Sequence, residues 1–158
     1  MGLDMYLYAK KYVNKVNWND VDSMGNPSTH PAFDNVIAAA GLSDVATDIY
    51  GAEISVTAAY WRKVNSVHNW FVKNVQGGED NCREYYVTKD KLAELREACL
   101  QALYEKDPSI IPPAEGFFFG GTDIDEWYWT GIKDTIKQID RLLKLDDYSL
   151  TFYYQSSW

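Results

Sequence analysis

A chain of 158 residues can bury a sizeable core without disulfide or metal staples. With 46% hydrophobic and 24% charged residues it should fold rather than stay disordered. A net charge of -8 excludes ready binding to duplex nucleic acid or anionic membranes, which need clustered Lys and Arg. The acids lie in small groups between aromatic and basic residues, which argues against mimicry of nucleic acid.

Residues 3–13 alternate as a strand, with Leu3, Met5 and Leu7 on one side and Asp4, Tyr6 and Tyr8 on the other. The opening MGLDMYLYAKKYV shows neither a long apolar run nor a cleavage pattern, so no signal peptide is expected. Tyr6 stands where myristoylation needs Ser or Thr. Residues 14–35, rich in Asn, Asp, Ser, Gly and Pro, read as one long loop, either functional or variable. A short helix is predicted over 34–41, ended by Gly41.

AEISVT, residues 52–57, reads as a strand leading into a helix over AYWRKVNSVHNWFVKNVQ, residues 59–76. On a helical wheel Tyr60, Val64, Val67, Phe71 and Val75 form an apolar arc. Trp61, Arg62, Asn65, His68 and Asn69 share its edge. A ring, a cation, two amides and an imidazole on one side suit a planar or phosphorylated small ligand. The same residues could instead be buried polar groups bonded to neighbouring elements. Trp70 falls opposite the core arc, and is expected to lie under the 14–35 loop rather than stand free as a contact anchor.

Gly77 and Gly78 break the chain, and REYYV, residues 83–87, reads as a strand. Thr88 is the expected N-cap of a helix with Leu92, Leu95, Cys99 and Leu103 at helical spacing. Pro108, Pro112 and Pro113 mark a rigid connection, and residues 117–119 read as a short buried strand. A helix over about 125–145 carries Trp129, Ile132, Ile136, Ile139 and Leu143 on one stripe, with Gly131 costing about 1 kcal/mol against Ala. The chain closes on an alternating strand ending in Trp158, which either packs into the domain or reaches another subunit.

The glycine pair in GGTDIDEWYW, residues 120–129, is followed by Asp123, Asp125 and Glu126 at a helix start. Thr122 or Asp123 would be an ordinary N-cap, and acids there favour the helix dipole. The sharper reading is a divalent-cation site, with His68 as a further ligand. EF-hand, P-loop and GxSxG patterns are absent. Cys82 and Cys99 form no CxxC or zinc spacing and read as two reduced thiols.

Short, aromatic, polar-edged strands predict an α+β fold. It would be one domain over 1–158, with a mixed or mainly antiparallel sheet of about four to five strands and three main helices. Two functions follow. One is a non-enzymatic protein that binds a small nucleotide-like molecule or docks on another protein. The other is a small metal-assisted hydrolase or nucleotide-modifying enzyme. The aromatic excess also fits a homo-oligomer.

MGLDMYLYAKKYV, YWRKVNSVHNWFVKNVQGGEDNCREYYVTKDKL, GFFFGGTDIDEWYW and FYYQSSW together resemble a family of small phage and prophage proteins of unassigned function. The resemblance implies a phage origin and a host-cytosolic setting, where the docking partner would be a host protein and counter-defence is a frequent role for such genes. It carries no residue roles.

Overall fold

The computed structural model describes residues 2–158. The elements run β1 (Asp4–Asn14), β2 (Val16–Val21), β3 (Pro27–Thr29), α1 (Pro31–Ala39), a 3-10 helix (Ser43–Asp48), β4 (Gly51–Arg62), α2 (Asn65–Asn74), β5 (Tyr85–Val87), α3 (Lys89–Glu105), α4 (Glu126–Leu143) and β6 (Thr151–Ser157). The fold is α+β. A four-stranded antiparallel sheet has the order β4-β1-β6-β5, and β2 and β3 form a separate two-stranded sheet. Two compact units result: residues up to Ala9 with Thr57–Trp158, and Lys10–Val56.

In the first unit one sheet face is dry. Leu3, Met5, Leu7, Ala59, Trp61, Val87, Phe152 and Tyr154 point into the core at every second position. Lys63 donates its N–H to Leu3 O at 2.8 Å, and β5 pairs with β6 through Tyr86 and Tyr153. The opposite face is tyrosine-rich. Tyr6 lies 5.4 Å from Tyr60, and Tyr86 packs edge-on to Tyr153 at 5.7 Å between centroids. Part of the aromatic excess is spent there, on a sheet with one wet face.

The helices follow their expected stripes. Thr88 caps α3, its hydroxyl accepting from Lys91 N at 3.1 Å, and Leu92, Leu95, Cys99 and Ala102 are buried. Each buried leucine contributes roughly 1.5–3 kcal/mol. In α4 Ile132 and Ile139 are fully buried, while Trp129, Ile136 and Leu143 pack at the edge of the core.

Gly131 has a specific cause. A Cβ there would lie 2.8 Å from Val64 Cγ1, so its absence lets α4 approach the start of α2. Trp70 joins this unit's core, edge-on to Phe71 at 5.5 Å. It is therefore buried within this unit's own core and does not stand free as a contact anchor.

Two other expectations are corrected. Residues 117–119 form a turn, not a strand, with Phe119 N donating to Gly116 O at 3.0 Å. The Phe119 ring folds back so closely that a Cβ on Gly116 would meet it at 2.4 Å. The 14–35 segment is not one loop but the β2–β3 ribbon and the start of α1. The second unit has its own small core of Val13, Phe33 and Ile37. β1, of 11 residues, has the length expected of residues 3–13, whereas β4, of 12 residues, is longer than the strand expected over 52–57.

Candidate functional site

The site begins where β4 becomes α2. Ala59 and Trp61 point inward while Tyr60 and Arg62 point outward, so residues 59–62 keep strand alternation instead of helical spacing. Lys63 then adopts φ 57, a left-handed conformation uncommon for a residue with a side chain. Asn65 opens the helix, and the preceding Val64 supplies no side-chain cap. This corrects the single helix face drawn through Trp61, Arg62, Asn65, His68 and Asn69. Trp61 and Arg62 belong to a strand.

Most of that set is engaged internally. Trp61 Nε1 donates to Thr135 Oγ1 at 2.9 Å in the core. Asn65 Nδ2 donates to Gly121 O at 2.9 Å, and Asn69 Nδ2 to Pro112 O at 2.9 Å. The two amides thus pin the 112–121 segment against α2. Buried His68 lies 2.7 Å from the Tyr154 hydroxyl through Nδ1 and 3.0 Å from Asp80 through Nε2. Desolvation, with Asp80 and Cys82 adding to it, holds the Tyr154 phenol well above its ordinary pKa. Trp158 Nε1 donates to Asp80 at 3.1 Å, and its ring stacks near Phe118 at 6.5 Å, so the terminal residue packs against its own unit. Arg62 alone stays largely open, bonded to Asp4 at 3.1 Å. Tyr60 and Asp4 favour its charged form.

The acidic turn does not gather into a metal site. Asp125, rather than Thr122 or Asp123, is the α4 N-cap, its Oδ1 accepting from Tyr128 N at 3.0 Å. Glu126 sits in the first helical turn. Asp123, Asp125 and Glu126 do not converge with His68: among the described residues no three His, Cys, Asp or Glu are grouped to hold an ion. Both His68 ring nitrogens are instead engaged by Tyr154 and Asp80.

What the fold does bring together is part of each predicted set, three of the five ligand residues and two of the three acids. A cleft of about 600 Å³ lies between the β4–α2 junction, the Gly120–Gly121 segment and the first turns of α4. Trp61, Arg62 and Asn65 line it with Asp123 and Asp125; His68, Asn69 and Glu126 do not. Such a volume suits a small organic ligand.

Sequence reasoning missed three contributors. Lys63, Trp127 and Gly131 also line the cleft. Lys63 makes no ion pair among the described residues, and Asp123 has no hydrogen-bond partner among them. Trp127 is 83% exposed at the rim. The only sequence signal for any of these was the helix-interior glycine, which marks a close approach.

The chain matches no family model, no curated protein and no solved structure. No helix among the described residues is long and apolar enough to cross a membrane.

Proposed function

We propose that this protein acts by non-covalent binding and holds a small nucleotide-like ligand in the cleft at the β4–α2 junction. The observation that carries this reading is the pairing of two cations, Arg62 and Lys63, with an open indole, Trp127, around one volume of about 600 Å³. Lys63 and Arg62 would meet a phosphate, Trp127 would stack on a planar base, and unpartnered Asp123 would accept from ring or exocyclic N–H groups. Lys63 in its left-handed conformation fits a side chain held in place for a ligand.

The phage resemblance makes the setting part of the same proposal. A phage accessory protein in the host cytosol would remove a nucleotide-like signal from the host, as counter-defence. The alternative, a metal-assisted hydrolase, would require acids and an imidazole to meet, and His68 is held elsewhere.

Calorimetric titration with a panel of linear and cyclic mononucleotides tests the reading. Binding by at least one of them, weakened about tenfold or more (about 1.4 kcal/mol) in Lys63→Ala and Trp127→Ala, is the expected result. No binding across the panel, or binding by both variants as tight as that of the unaltered protein, would remove the proposal.

A further inference from the structure

The β2–β3 ribbon belongs to neither hydrophobic cluster. Its strands have six and three residues, and their register slips between Asn17 and Val21. A two-stranded ribbon with no core beneath it is marginal in water. Its tip is nevertheless well built. The Asp22 carboxylate accepts from Met24 N and Asn26 N at 2.8 Å each and from Asn26 Nδ2 at 3.0 Å. Gly25, at φ 85, donates to Asp22 O at 3.0 Å and closes the turn.

This fixed tip displays apolar side chains. Every residue from Trp18 to Asn26 is exposed, with Trp18 at 72% and Met24 at 82%. Trp and Met are side chains that anchor protein contacts, and the turn itself needs neither. Among the described residues β2 has β3 as its single neighbour in this sheet, and Trp18 to Val21 are exposed, so its other edge is open to strand addition.

Charge selects the partner. Residues 10–56 carry six carboxylates against three lysines. Lys10 faces Glu53 at 3.9 Å, and the Lys15 ammonium donates to Ala46 O and Thr47 O. Asp20, two positions from Trp18, makes no ion pair among the described residues. The unit that bears the anchors is therefore net acidic, and Asp20 lies beside Trp18 within it. It repels nucleic acid, an anionic membrane and a second copy of itself.

The geometry points to the β2–β3 ribbon as a docking arm for an extended, cationic protein segment that alternates Lys or Arg with apolar residues. Such a segment would add to the open edge of β2, cover Trp18 and neutralise Asp20. The inference uses no residue of the cleft.

Fluorescence anisotropy of the full chain with a labelled peptide of alternating Lys and Val tests it, with the Glu-for-Lys peptide as control. The Lys peptide should bind, and Trp18→Ala should weaken it about tenfold or more. Asp20→Asn should weaken it about threefold and flatten its salt dependence. Lys63→Ala should leave it unchanged, which separates this test from that of the cleft. Equal binding of the Glu peptide, no effect of Trp18→Ala, or a Trp18-dependent dimer in sedimentation would each overturn the inference.

Discussion

Gly131 and Val64 are matched across the α4–α2 contact: a Cβ on the glycine would come within 2.8 Å of Val64 Cγ1 and 3.2 Å of Cγ2. Val64 is stiff at χ1 and has no easy retreat. Gly131→Ala should therefore destabilise by roughly 1–3 kcal/mol, against the gain of about 1 kcal/mol that helix propensity alone would give. Urea unfolding decides the sign. Adding Val64→Ala to Gly131→Ala should recover part of the loss, and strict additivity would show that the two residues do not meet.

Thr135 holds two bonds at once. It accepts from Trp61 Nε1 at 2.9 Å and donates to Gly131 O at 2.7 Å. Thr135→Val keeps the shape but strands the buried indole N–H, so a loss of roughly 1–3 kcal/mol is expected. Thr135→Ser keeps the hydroxyl and should cost less. Equal midpoints for the two variants in chemical denaturation would contradict the bond.

Asp125 separates a cap from a metal ligand. As the N-cap of α4 it should tolerate Asn and lose about 1 kcal/mol with Ala. Thermal unfolding with and without added divalent cation reads both roles. A cation-dependent rise in melting temperature, abolished by Asp125→Asn, would reinstate the metal reading.

Trp127 should be neutral for folding and decisive for binding. At 83% exposure its replacement by Ala should change stability by no more than about 0.5 kcal/mol. Nucleotide affinity should fall in the same variant. A large stability loss without a change in affinity would place the ring in packing instead of recognition.

Alkaline pH should weaken the fold. Burial pushes the Cys99 thiol from 9.0 to about 12 and the Tyr128 phenol from 10.0 to about 12. Raised folded pKa values mean that the unfolded chain releases these protons first. Stability is therefore complete below pH 9 and falls as pH climbs towards 12. Stability curves at stepped pH check the slope, and Tyr128→Phe should flatten it above pH 10. In tyrosinate absorbance, Tyr154 should ionise only as the protein unfolds, and Tyr128 should ionise later than an exposed tyrosine.

By itself the sequence determined what depends on near neighbours. The alternation of Leu3, Met5 and Leu7, the Thr88 cap, the stripes of α3 and α4 and the break at Gly77–Gly78 all appear in the fold. Periodicity and capping are local, and the α+β class followed from them. Only the tertiary structure decided whether residues 59–62 would be strand or helix. Their spacing permitted both, and the ladder that ends with Lys63 N on Leu3 O, about sixty residues away in sequence, selected the strand. The same holds for the 117–119 turn, where Leu3 N reaches Phe118 O at 2.9 Å. The cleft was half legible for this reason. Arg62, Asn65, Asp123 and Asp125 announced themselves as polar residues, but their meeting at one volume, and the loss of His68 to Tyr154 and Asp80, depended on hydrogen bonds between distant parts of the chain.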